Sequence, residues 1–280
     1  MTRRMWHPFA RFSFLLALSL LAPSAIAANT LPPGEDDAQA RLEKSPRHGE
    51  YLDVAYGDSA KLRTWIVYPE RKDKAGVVIL IHEIFGLSDW MRGVADQLAA
   101  DGFIAVAPDL LSGLGPGGGG TESVATRDEV VKLVRGLSPE ESAARLAAVR
   151  DRAVRLPAAN GKWATMGFCW GGARSFAAAA SSPAPQACVV FYGVSPDSAQ
   201  LLNVQAPVLG NYGGDDARVN VTIEPAKLAL AARKKSYESF TYDGAGHGFL
   251  RQQSGREGAN LRATQAAWPR TLAFLRKHLK

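Results

Sequence analysis

Three observations predict an α/β fold with a mostly parallel central sheet and helices on both faces. Short apolar runs alternate with longer amphipathic or alanine-rich segments. Glycine-rich turns follow several of the apolar runs. Residues able to do chemistry gather on those turns, just past the strand C-termini, where open parallel sheets place their ligands. In chain order, strands are expected at residues 62–68, 77–81, 103–107, 164–168, 187–192, 207–212 and 236–242. Helices are expected at 90–100, 126–135, 139–155, 173–180, 224–234 and 261–279. The helix after Leu137 opens on Ser138-Pro139-Glu140-Glu141, a capping box with proline at the first helical position. Pro269 is expected to kink or restart the last helix. The glycine run at 115–120 reads as a flexible loop flanking the pocket mouth.

Residues 1–27 have the form of a secretory signal peptide. Arg3 and Arg4 make a basic start, 12–22 is a compact apolar stretch, and Ala25-Ile26-Ala27 is a small-x-small ending. The apolar stretch is too short for a permanent bilayer span. No lipobox cysteine follows, and Arg3-Arg4 lacks the rest of a twin-arginine pattern, so the general secretion route to the periplasm or medium is expected. Residues 28–49 are polar and proline-bearing, an extended lead-in to one domain at 50–280. Loss of Arg3, Arg4 and Arg11 takes the formal charge from +6 to +3. No basic tract is dense enough for nucleic acid. A monomer acting on small molecules is the expectation, with no cofactor.

The most informative segment is Gly167-Phe168-Cys169-Trp170-Gly171-Gly172, between the apolar run 163–166 and an alanine-rich helix. Strand, sharp turn and helix around G-x-C-x-G form the nucleophile elbow of an α/β-hydrolase, with cysteine where serine is usual. The turn strains its central residue, and side chains on the flanking glycines would collide with the neighbouring strand and helix. It also sets the sulfur at a helix N-terminus, whose unpaired N–H groups favour negative charge. A base and an orienting acid should follow along the chain. Asp215 and Asp216 end the strand-and-turn Val208-Leu209-Gly210-Asn211-Tyr212-Gly213-Gly214, and His247 sits in the glycine-rich loop after the strand that ends at Tyr242. His7, His48 and His278 lie in the leader, a polar stretch and the terminal helix. His82 precedes Glu83, but Gly86 stands where a zincin needs its second histidine, so no metal site is expected.

Taken with Ala107-Pro108-Asp109-Leu110, these segments resemble the dienelactone hydrolase (carboxymethylenebutenolidase) family: His82-Glu83-Ile84-Phe85-Gly86-Leu87, the elbow, Gly213-Gly214-Asp215-Asp216 and His247-Gly248-Phe249. The resemblance runs from about Glu50 to the C-terminus. It implies a single-domain α/β-hydrolase with a Cys169–Asp216–His247 triad, Asp216 being the last residue of the glycine turn. It also implies that Glu83 holds the resting thiol until substrate displaces it; as a bare sequence feature Glu83 equally reads as a loop residue capping a helix. Oxyanion donors should be the N–H groups of Trp170 and Ile84. Family arginines hold a substrate carboxylate, and Arg251, four residues past His247, occupies one such position. Arg127 is the candidate for the second, although its surroundings read more simply as those of a solvated surface arginine. Arg251 also lies in a polar run compatible with a surface position.

The only other cysteine, Cys188, begins an apolar strand and reads as a small core residue, so no disulfide with Cys169 is expected. The resulting expectation is an exported hydrolase cleaving a small, anionic ester or lactone through an acyl-enzyme. A broad carboxylesterase or thioesterase is the alternative within the same chemistry. A catalytically idle hydrolase scaffold that binds a ligand is the alternative outside it.

Overall fold

The computed structural model describes residues 1–2, 30–58 and 60–280; the expected signal segment lies outside them apart from its first two residues. Their eight strands form one sheet: β1 (Gly49–Tyr56), β2 (Ala60–Val67), β3 (Ala75–Ile81), β4 (Ile104–Pro108), β5 (Ala159–Phe168), β6 (Ala187–Phe191), β7 (Val208–Gly213) and β8 (Tyr237–Tyr242). The order is β1-β2-β4-β3-β5-β6-β7-β8, with β1–β2 and β2–β4 antiparallel and every later pair parallel. The helices are α1 (Ala38–Glu43), α2 (Asp89–Ala100), α3 (Arg127–Gly136), α4 (Pro139–Ala153), α5 (Trp170–Ala178), α6 (Ser198–Leu201), α7 (Ala217–Asn220), α8 (Ile223–Ala232) and α9 (Ala259–Leu279). This is the α/β-hydrolase architecture.

The central parallel strands were legible because they are buried on both faces; β8, parallel but at the sheet edge, has no fully buried residue. Every residue of β3, β4, β6 and β7 is buried, so β3, β4 and β6 appear as unbroken apolar runs rather than alternations, and β7 is interrupted only by its glycines and the buried Asn211. Helices cover the two faces with separate cores. Trp90, Leu98 and Trp268 of α2 and α9 pack on one side of the central strands, and Val149 and Ala153 of α4 on the other. Side-chain caps start α3 and α4, and the box expected at Ser138 is half formed because the Glu141 carboxylate turns to Arg145 and Tyr56. Ser138 Oγ accepts from the Glu141 N–H at 3.0 Å. Thr126 and Glu129 form the reciprocal box at the start of α3.

Four details depart from expectation. The strand β1 is an additional edge strand; half of its residues are exposed, polar residues stand among its apolar ones, and it carries no apolar run to announce it. The lead-in is not simply extended: α1 lies within it and packs against α2, and Pro32 and Pro33 are buried. Helix α9 runs unbroken through Pro269, so it does not restart there. The glycine run is tied down: the N–H groups of Gly113 and Gly115 both donate to Gly119 O at 3.0 Å. Asp109 accepts from the Thr121 N–H and hydroxyl at 2.6 and 2.7 Å. A carboxylate closing a loop in this way replaces the rigidity that glycine lacks.

Candidate active site

The parallel strands all end on one edge of the sheet, and the candidate residues follow those ends. Glu83 comes after β3, Cys169 after β5, Asp216 after β7 and His247 after β8. Cys169 has φ 55° and ψ −114°, a conformation that L-residues avoid, and its N–H donates to Phe191 O at 3.0 Å. The elbow tolerates this only because its neighbours are bare. A Cβ on Gly167 would lie 1.9 Å from Gly171 O, and one on Gly171 would lie 2.2 Å from Ile81 O. The strain fixes the sulfur above the sheet edge, at the first turn of α5.

The sulfur meets its partners there. Cys169 Sγ is 3.1 Å from His247 Nε2, and His247 Nδ1 is 2.5 Å from Asp216 Oδ2. Asp216 is 7 % exposed. Burial works against protonation of His247, but the Asp216 hydrogen bond and the Cys169 sulfur outweigh it and raise the imidazole to about 9. Asp215, one residue earlier, turns outward to Arg256 at 3.0 Å. The glycine turn thus separates the two carboxylates, one inward and one in solvent.

Cys188 behaves differently. It is fully buried in β6 against Thr165, and burial pushes its thiol up to about 12. Both cysteines are free thiols.

The loop after β3 carries the next shell. His82 is fully buried; its Nδ1 lies 2.7 Å from Glu83 O, and its Nε2 accepts from the Leu110 N–H at 3.3 Å. That pair of contacts assigns the proton to Nδ1, and burial, opposed by Asp109, lowers the pKa and keeps the ring neutral. The Leu87 N–H donates to Thr121 Oγ1 at 3.1 Å, so Asp109, Thr121 and His82 together brace the segment containing Ile84. Among the described residues, neither the Ile84 nor the Trp170 N–H donates to another protein group.

Glu83 is not on the thiol. Its Oε2 accepts from Arg251 Nε at 2.8 Å, and its Oε1 has no hydrogen-bond partner. The carboxylate is 3 % exposed, and burial raises its pKa against the pull of Arg251. Arg251 is 8 % exposed and bonds a second carboxylate, Glu35, through NH1. The polar run Arg251-Gln252-Gln253-Ser254 therefore hides its first residue. Arg127 is half exposed, lies 3.3 Å from Glu35 Oε1 and sits over the Phe85 ring at 3.6 Å. It is a surface arginine, as the simpler reading expects, with its guanidinium paired to Glu35.

Sequence reasoning missed Tyr192. It follows β6 at φ 43°, its ring packs edge-on against His247 at 5.2 Å, and its hydroxyl is buried without a partner. Burial, reinforced by the nearby Glu83 charge, holds that hydroxyl well above the usual tyrosine range. Positive φ at a tyrosine leaves no trace in composition or spacing, and only its place after a strand end could have drawn notice. Among the described residues no group of three His, Cys, Asp or Glu side chains could hold a metal ion. A cavity of about 490 Å³ between α4 and α5 is lined by none of Cys169, His247 or Asp216.

Fold and site together define an α/β-hydrolase with a cysteine at its elbow. The Dienelactone hydrolase family matches residues 62–279, and the chain belongs to that family. It is 30% identical over 207 residues to a carboxymethylenebutenolidase of Pseudomonas putida, covering 73% of this chain and 86% of that one. The crystal structure of a dienelactone hydrolase from Anabaena variabilis superposes with TM-score 0.65 at 24% identity, covering 84% of this chain and 99% of that one. A dienelactone hydrolase-like promiscuous phosphotriesterase from metagenomic libraries gives 0.69 at 23%, with coverage of 84% and 99%. The last two comparisons bear on the fold. The protein is a hydrolase acting on carboxylic ester or lactone bonds.

Proposed function

We propose that the protein cleaves a small ester or lactone through a Cys169–His247–Asp216 triad and a thioester acyl-enzyme. The observation that carries this reading is the continuous contact path from Asp216 through His247 to a sulfur held on a strained elbow. His247, raised to about 9, holds the thiol's proton on Nε2 as sulfur attacks the carbonyl carbon, and Asp216 holds the imidazolium through its other proton on Nδ1. The N–H groups of Trp170 and Ile84 receive the developing oxyanion. Collapse of the tetrahedral adduct breaks the bond to the leaving oxygen, which leaves with the proton from His247. In a lactone that oxygen stays attached through the ring. Water then gives a proton to His247 and attacks the thioester, and the thiol regains that proton as the acid departs.

The same reading carries an exported monomer working on small molecules in the periplasm or medium. It is supported by the leader-like residues 1–27. Glu83, oriented by Arg251 beneath the site, tunes its charge rather than restraining the thiol directly.

Alkylation tests the triad. Iodoacetamide should label Cys169 first, with ester hydrolysis falling in proportion, while Cys188 stays unmodified in the folded chain. Hydrolysis that persists after complete labelling of Cys169 would end the nucleophile assignment and favour a scaffold that binds without turnover.

A further inference from the structure

We infer that Glu35 sets the charge of the substrate: its carboxylate fills a two-arginine clamp beside Glu83, so the site takes esters or lactones with no carboxylate at that position. This rests on the hydrolase reading above and replaces the expectation of an anionic substrate.

The clamp is defined by geometry. Arg251 bonds Glu35 Oε2, and Arg127 NH2 lies 3.3 Å from Glu35 Oε1, so each carboxylate oxygen has its own guanidinium. Both guanidiniums sit over the Phe85 ring, Arg251 at 4.9 Å and Arg127 at 3.6 Å. Two planar cations converging on one carboxylate over an aromatic face is how proteins recognise a carboxylate ligand. Here the ligand is a side chain of the same molecule. The clamp adjoins the reaction centre, because Phe85 follows Ile84, and Arg251 uses its Nε on Glu83.

The backbone delivers Glu35 to this position. The Glu35 N–H donates to Arg251 O at 2.8 Å, Gln253 Nε2 donates to Pro32 O at 3.0 Å, and Trp90 Nε1 donates to Pro33 O at 3.1 Å. Ser254 Oγ donates to Asp36 Oδ2 at 2.8 Å. A segment fastened on both sides of Glu35 loses little entropy in holding the carboxylate, whereas an incoming ligand must lose its own freedom. Charge points the same way. Glu83 and Glu35 balance Arg251 and Arg127, and a substrate carboxylate would be a third anion for two cations.

The test compares p-nitrophenyl butyrate with the mono-p-nitrophenyl ester of glutaric acid, on the full chain and on Glu35→Gln. The wild type should favour the butyrate. In Glu35→Gln the ratio of kcat/KM values should move toward the glutarate ester by about tenfold, mainly through KM, the low end for a charge-assisted hydrogen bond at a half-exposed site. Adding Arg127→Ala should take most of that gain away. A wild type that prefers the glutarate ester, or a ratio that Glu35→Gln leaves in place, overturns the proposal. Should the variant not fold, the wild-type preference decides alone. Calorimetric titration with glutarate separates this claim from the hydrolase reading. Tighter binding to Glu35→Gln than to wild type supports the clamp even if neither ester is hydrolysed, and equal binding rejects it.

Discussion

His247 and Arg251 lie four residues apart on one loop, and each meets a buried carboxylate, yet the two arms of that loop are built differently. His247 reaches Asp216, which sits on the neighbouring strand end, and its remaining nitrogen faces the sulfur. Arg251 reaches Glu83 across the sheet edge and Glu35 from the lead-in, and is itself 8 % exposed. In the proposed mechanism one arm moves a proton between fixed partners, whereas the other pairs buried charge. The difference teaches that a motif residue's type and position do not fix its role, because its partner can come from anywhere in the chain.

Predictions can sharpen that contrast. The largest effect belongs to Cys169→Ala, which should cut turnover by roughly 10⁴-fold or more in an ester assay, as for loss of a nucleophile from a triad. Cys188→Ala should leave turnover nearly intact and lower stability by about 1 kcal/mol in urea denaturation. On the His247 arm, Asp216→Asn should lower kcat on the order of 10³–10⁴-fold. On the other arm, Arg251→Ala should act first on the fold. It strands the Glu83 carboxylate without its cation and should cost roughly 3 kcal/mol in the same denaturation experiment. If Arg251→Ala instead leaves stability unchanged and only weakens substrate binding, the arms are more alike than described.

The pH dependence of stability gives a smaller effect. His247 is raised from 6.5 to about 9 in the fold, so protonation favours the folded state. That contribution is complete below 6.5 and lost as pH rises through about 9. The stability difference between wild type and Asp216→Asn should therefore shrink across that window, and a constant difference would contradict the assignment. Asp215→Asn should be the mildest change of all, since it removes only an exposed pair with Arg256.

What was legible in the sequence follows the same division. The elbow could be read because its glycines stand beside the residue they serve, and the acid and histidine because they follow strands in a fixed order. Buried parallel strands declared themselves as apolar runs, whereas half-exposed β1 did not. Nothing near Arg251 in the sequence names Glu35, which lies more than two hundred residues away and becomes its neighbour only when the lead-in folds over α2. Tyr192 was invisible for another reason: its backbone strain is a property of the fold and not of the residue type.

The central claim is that Cys169 carries the acyl group, and an acid quench tests it most directly. Full-length protein mixed briefly with excess p-nitrophenyl acetate should release a burst of one equivalent of p-nitrophenolate. The quenched chain should carry one acetyl group on the Cys169 peptide, removable by hydroxylamine. A burst without label on Cys169, or turnover with the label on another residue, would contradict the account.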